Sequence, residues 1–465
     1  MKKSFVVRAT QGVWINDMRQ IGLPSHQWPS SIFDEQTEYG MKAAIDVLSQ
    51  FGFSILTAFG LFSTYSWPLD IKSCVNRDRD ARIKRIIEYA HDHHIRLLVG
   101  MGVYSWGFDE IVKNDPAVQG DNPHAMCRSR DASWMWQKKI VDFVLDKYDL
   151  DGFHFESADL GRCHCPDCIK LGDAEYHCEI NRQTAQYIKK RNPEKTVMVN
   201  MCGFRESREA IPVDDYHYFT ALSKEIDFLI DPGIFRDKGI YIEADKRPDF
   251  MKHLSCSFGT CGGSWTYTPQ RWERLRWFLP CVQHSITHIK ELYKQGGRAL
   301  EHYVGPVNNP GIELNIACGG IISGDIDRSI DDVLFEAVET LYKPVNEASC
   351  WKLVSLLKRA EDAYYNNVST NEICEIGLTN MFGEKPTPAA YLLDKSQGGI
   401  CTSISSSDRM KYGRELMEML SEIDGMIDSF GSKDKICAIM VCMENVLKEI
   451  LFIENSFNGG LLYER

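Results

Sequence analysis

The sequence predicts an α/β protein, a (β/α)8 TIM barrel with a C-terminal helical extension, and three observations carry that prediction. Short apolar runs alternate with amphipathic helical stretches as far as Tyr303, and repeated strand-loop-helix units of this length favour a parallel barrel over a two-layer antiparallel fold. The run over 95–101 is apolar almost throughout, as expected of a strand covered on both faces. Aromatic and ionisable residues follow successive strands, which gathers the chemistry at one end of the sheet.

The first strand spans 5–15 and leaves Asp17 just beyond its end. Met41, Ala44, Ile45 and Leu48 recur at helical spacing over 35–50, and Gly52 stops that helix. The second strand, 53–59, opens into a loop carrying Phe62, Tyr65 and Trp67. A charged amphipathic helix over 78–93 turns Ile83, Ile86, Ile87 and Ala90 inward. The third strand exits through Gly102-Val-Tyr-Ser-Trp-Gly107, and a long insertion to Asp131 carries Asn122, Pro123, His124, Arg128 and Arg130.

A helix over 133–147 leads into the fourth strand, 148–155, which delivers Asp151, His154 and Glu156. Next come a helix over 173–190, a strand over 195–201 that opens onto Arg205, a weak helix over 218–224 and a short strand over 226–230. A further apolar segment, 240–242, precedes Glu243 and Asp245. The seventh strand, 254–261, opens onto Trp265 and Tyr267; the helical period over 271–295 is interrupted at Pro280, and 298–303 is the eighth strand, with Glu301 and His302 near its end. From about Asp327 the pattern turns helical over 332–341, 348–363, 410–427 and 436–451, which divides the chain into a catalytic barrel, 1–342, and a mainly helical region, 343–465.

The 465 residues suffice for one large domain and a smaller one, and 44% hydrophobic with 25% charged residues is ordinary for a soluble enzyme. A net charge of -12 with no dense Lys/Arg block argues against a nucleic-acid partner. Polar residues return at Arg8 and Thr10 before a signal-peptide core develops, and no apolar run is long enough to span a membrane, so a cytoplasmic enzyme is expected, with a homodimer left open. Most of the 16 cysteines sit in apolar segments, as at Cys202, Cys256, Cys318, Cys437 and Cys442, which reads as buried thiols and not a disulfide framework.

The stretch around Glu156 concentrates the chemistry. Three ionisable groups in so short a strand must each be paired, hydrated or neutralised, which points to a catalytic strand end. Even spacing puts His154 and Glu156 on one face and Asp151 on the other. Asp17, Asp159, Asp231, Glu243, Asp245 and Glu301 are the candidate partners for hydrolysis of a glycosidic bond. A retaining reaction would use Glu156 as acid/base with a second carboxylate as nucleophile. An inverting one would use Asp17 as proton donor and His154 to activate water.

Trp67, Trp106, Trp265 and Tyr267 offer flat apolar faces suited to a sugar. Arg128, Arg130, Arg205, Arg208 and Arg236 are candidates for a substrate carboxylate, Arg205 foremost. Cys163-His-Cys165-Pro-Asp-Cys168 with Cys178 forms a candidate structural zinc site that would fasten the loop after strand four; a local disulfide or free thiols are the alternatives. No cofactor is expected in catalysis. A carbohydrate-binding protein would use the same aromatics without needing Asp17, His154 and Glu156 to converge.

Asp151-Gly-Phe-His-Phe-Glu-Ser157 and Gly161-Arg-Cys-His-Cys-Pro-Asp-Cys168 resemble barrel glycoside hydrolases of the broad hexosaminidase-like and alpha-glucuronidase-like group, over roughly 1–342. The adjacent Asp-Glu pair of hexosaminidases is replaced by His154-Phe155-Glu156, which speaks against substrate-assisted hydrolysis of an N-acetylhexosamine. The chain also resembles inverting barrel exo-sialidases. That resemblance implies Asp17 as acid, His154 as base supported by Asp151 or Glu156, Arg205 on the substrate carboxylate, and Asn308 or Asn309 as a late-loop contact. The implied substrate is a glycoconjugate ending in an acidic sugar, with a uronic-acid or neutral sugar as the alternative.

Overall fold

The computed structural model describes residues 2–12, 33–62, 66–156, 160–200, 212–230, 236–237, 240–241, 260–261, 278, 280–294, 297–368 and 405–458. An eight-stranded, wholly parallel sheet is built from β1 (Val7–Gly12), β2 (Ile55–Phe59), β3 (Arg96–Gly102), β4 (Gly152–Glu156), β5 (Thr196–Asn200), β6 (Phe228–Ile230), β9 (Thr260–Cys261) and β10 (Ala299–Tyr303), in the order β6-β5-β4-β3-β2-β1-β10-β9. The remaining pair, β7 (Arg236–Asp237) and β8 (Ile240–Tyr241), is an antiparallel ribbon, so Ile240 and Tyr241 of the expected apolar segment belong to that ribbon. No ladder joins β6 to β9 among the described residues, and the barrel is nearly closed.

Six helices, α1 (Glu35–Gln50), α2 (Arg77–Asp92), α3 (Asp109–Asn114), α4 (Asp131–Lys147), α5 (Asp173–Arg191) and α6 (Tyr216–Ser223), separate the first strands; α7 (Val282–Lys294) precedes β10. Short polar side chains start two of them. Asp34 accepts from the Thr37 backbone N–H at 2.9 Å, and Asn76 from that of Arg79 at 2.8 Å, filling donors that a helix leaves unmatched at its N-terminus. Pro280 lies just ahead of α7, not within it, consistent with a residue that breaks a helix interior.

Alternation along the strands separates two cores. Leu56, Leu97, Val99, Phe153, Phe155, Val197 and Val199 join the large core under the helices, while Val7, Ala9, Ile55, Leu98, Met198, Phe228 and Ala299 form a separate cluster inside the barrel. That cluster is an apolar plug. His154 and Glu156 share the inward face of β4, in register with Gly100 and Gly102 on β3 and with Met198 and Asn200 on β5.

Helix α8 (Pro310–Gly324) has no counterpart in the sequence-based expectation. Almost every residue of it is buried, so it is apolar all round and lacks the one-sided period that marks a surface helix. Gly319 lies against the His302 ring and Gly320 against the Phe51 carbonyl, which seats α8 directly on β10 and α1. Beyond it, α9 (Ile330–Tyr342), α10 (Glu347–Val368), α11 (Ser406–Asp424) and α12 (Lys433–Asn458) pack on one another and on α7 and α8. No described helix is long and apolar enough to cross a membrane.

Candidate active site

In a parallel barrel the C-terminal strand ends share one face, and β4 climbs to it through His154 and then Glu156. His154 is fully buried one step below the edge, with its Nε2 3.5 Å from Glu301 Oε1 on β10 and the Phe59 ring edge-on at 5.4 Å. Burial pushes Glu301 up from 4.5 to about 8 and His154 down from 6.5 to about 3. Both shifts favour the uncharged forms, so at neutral pH a protonated carboxyl faces a neutral imidazole. Phe59 lies over Gly100, where an added Cβ would come within 2.4 Å of its ring.

Glu156 ends β4 one layer above this pair. It is in register with Asn200, the last residue of β5, and both are buried. The resulting floor carries a carboxyl and a carboxamide above a neutral acid–imidazole pair.

The turn after β3 borders the same edge. Tyr104 and Trp106 adopt left-handed backbone (φ 66° and 63°), a conformation that costs bulky residues on the order of 1–3 kcal/mol each and clusters at functional sites. The surrounding structure holds it: the Met126 N–H donates to the Tyr104 carbonyl at 2.8 Å, and Ser105 bridges to Ala125. Trp106 is half-buried, edge-on to Phe59 with centroids 5.0 Å apart, placing its indole beside the barrel mouth.

Several sequence-predicted residues stand elsewhere. Asp151 lies at the opposite, N-terminal end of β4, where its carboxylate accepts from the Leu97 N–H at 2.8 Å and meets His91 Nε2 at 2.9 Å. The length of the strand therefore separates it from Glu156, and it cannot support His154 from there. Trp67 is core, not a sugar platform: it is 3% exposed and packs against Phe62 and Phe143. Asn309 caps α8, accepting from the Gly311 and Ile312 N–H groups at 2.9 and 3.2 Å, while Asn308 beside it is exposed.

Arg128 is half-buried in the connection between α3 and α4, its guanidinium 6.0 Å from the Tyr176 ring centroid. Arg236 belongs to the β7–β8 ribbon. Asp17, Asp159, Arg205, Arg208, Asp231, Glu243, Asp245, Trp265 and Tyr267 lie outside the described residues. Asn200 and Phe59 were legible only as strand-end residues, a signal that pays off once register is known.

The cysteine cluster needs one correction. Cys178 is buried within α5 and outside the group; the fourth thiol beside Cys163, Cys165 and Cys168 is Cys127, from the connection between α3 and α4. The helical setting of Cys178 points it into the core between α5 and its neighbours, whereas Cys127 is brought in from a loop distant in sequence.

No protein-family model and no curated protein matches the chain. Among solved structures it is similar to a mutant O-GlcNAc hydrolase from Thermobaculum terrenum, at 12% identity and TM-score 0.51 over 98% of this chain and 86% of that one. It is also similar to CpGH84B (9%, TM-score 0.48, 99% and 71% covered) and to a beta-N-acetylhexosaminidase from Bacteroides fragilis (13%, TM-score 0.33, 50% and 46% covered). The first of these likenesses is one of fold: the chain is an α/β TIM barrel with a helical C-terminal region.

Proposed function

We propose that the protein is a glycosidase that releases a terminal sugar from an oligosaccharide or glycoconjugate, with Glu156 handling the proton at the scissile oxygen. The observation that carries this reading is the position of Glu156, inward-facing at the C-terminal end of β4 and level with Asn200. A carboxyl group there protonates the glycosidic oxygen as its bond to the anomeric carbon breaks and the departing sugar or aglycone leaves as an alcohol, while water supplies the hydroxyl that ends on the anomeric carbon and its other proton returns to the carboxyl pair. The Asn200 carboxamide is suited to bond a sugar hydroxyl at the same level. Asp17, which follows β1 in sequence, is the proposed second carboxylate.

The complete burial of His154 favours carboxylates as the groups that touch substrate, with His154 and Glu301 forming the floor that positions Glu156. The proposed substrate class is an acidic, sialic-acid-like sugar. Arg128, in the connection between α3 and α4, is one candidate for the sugar carboxylate, and Arg205 and Arg236 are the others.

The test is a panel of aryl glycosides comprising a sialoside, a glucuronide, neutral hexosides and an N-acetylglucosaminide, the last included because the Thermobaculum terrenum protein of similar fold is an O-GlcNAc hydrolase. Turnover of the sialoside is expected, with Glu156→Gln lowering kcat by about 10²- to 10⁴-fold. Glycan binding without turnover would instead make the protein a carbohydrate-binding one, and wild-type rates in Glu156→Gln would remove Glu156 from the chemistry.

A further inference from the structure

We infer that Cys127, Cys163, Cys165 and Cys168 form a tetrathiolate site for one structural zinc ion that fastens the α3–α4 connection to the loop after β4. The ligand atoms of these four residues lie within 4.8 Å of one another. Cys127 Sγ is 3.6 Å from Cys165 Sγ and 3.7 Å from Cys168 Sγ. Four sulfurs at the usual Zn–S length of about 2.3 Å in a tetrahedron stand about 3.8 Å apart, so the thiols are already arranged around a single ion. A multi-iron cluster, whose thiolates bind different irons, requires a wider spread.

The surroundings are built for sulfur. Gly120 is the close approach on one side: a Cβ there would fall 2.2 Å from Cys163 Sγ and 3.1 Å from Cys127 Cβ. The Ser129 hydroxyl sits 3.0 Å from Cys127 Sγ, and that of Ser133 donates to the Cys127 carbonyl at 2.8 Å. Such contacts orient thiolate ligands and spread their charge.

Binding exchanges four thiol protons for one Zn²⁺ and leaves a dianionic centre. Arg162, itself buried, supplies positive charge close by: its guanidinium donates to the Cys168 and Leu171 carbonyls at 2.9 and 3.0 Å and pairs with Asp173 at 2.6 Å. The two loops also meet through Asn122, whose side chain donates to the Leu160 carbonyl at 3.1 Å and the Arg162 carbonyl at 3.3 Å. The ion would thus hold together the two segments that follow Gly102 and Glu156 at the barrel mouth.

The test is elemental analysis of the full chain purified under reducing conditions and dialysed against chelator, together with the Cys127→Ala, Cys165→Ala and Cys178→Ala variants. About one zinc per chain is expected in the wild type and in Cys178→Ala, and a loss of most of it in the other two. Cobalt exchanged into the wild type should show the visible bands and sulfur-to-metal charge transfer of a tetrahedral tetrathiolate, a readout that survives if the Cys127 variant does not fold. Iron in place of zinc, a metal-free wild type that takes up neither zinc nor cobalt, or loss of metal in Cys178→Ala with retention in Cys127→Ala would overturn the assignment.

Discussion

Glu301 and His154 show how far the barrel interior bends ordinary side-chain chemistry. Burial raises the Glu301 carboxyl from 4.5 to about 8, so the folded state keeps a proton that the unfolded chain has released, and stability falls as pH rises through that window. His154 is lowered from 6.5 to about 3, so the folded state refuses a proton that the unfolded chain takes up, and stability falls as pH drops through that window. Between 4.5 and 6.5 the two slopes oppose each other, which places a plateau there and a decline above it. Glu301→Gln has no proton to lose. Thermal stability should therefore fall more steeply from pH 6 to 9 in the wild type than in Glu301→Gln. Parallel curves for the two proteins would show that this carboxyl is not held protonated.

At the scale of elements, the helices of the extension supply caps as well as packing surface. Glu361 on α10 is fully buried, and its carboxylate accepts from the Gln283 and His284 N–H groups at 2.9 and 3.0 Å while facing His284 Nδ1 at 2.6 Å. It therefore serves as the N-terminal acceptor for α7, a helix that leads into β10, from a position far along the chain. Glu361→Ala takes the acceptor away from those partly buried donors and should destabilise the fold by about 1–3 kcal/mol, measured by denaturant unfolding. Glu361→Gln, which keeps an oxygen acceptor, should lose less; equal losses would mean that packing, not capping, is what Glu361 contributes. The sequence could not reveal this pairing, because the two residues are joined only by the fold.

For the molecule as a whole, the question is whether the barrel stands without the extension. Helix α8 lies between β10 and α1 on one side and α7, α9 and α12 on others, and Lys435 on α12 pairs with the buried Glu313 of α8 at 2.5 Å. Within the extension, Arg409 and Glu454 form a buried pair at 2.6 Å, which binds α11 to α12. A chain ending at Tyr342 would expose the apolar faces that α10 and α12 cover and remove the Glu361 cap. We expect it to be insoluble or to lack a cooperative melt. A truncated chain that unfolds cooperatively at the wild-type temperature would show the barrel to be independent of residues 343–465.

Sequence alone determined the alternation of strands and helices that makes the barrel and the common face of His154 and Glu156, because these follow from local periodicity. It passed over α8, since a helix buried on every side has no polar face to set its period. It also drew Asp151 and Trp67 into the site on proximity along the chain, although a strand's two ends are far apart and an aromatic on a loop still has a core to fill. Only the tertiary structure paired His154 with Glu301, set Asn200 level with Glu156 and replaced Cys178 by Cys127. The reason is common to all three: strand register and loop closure bring together residues that no local pattern links, and a parallel barrel is made of such long-range pairings.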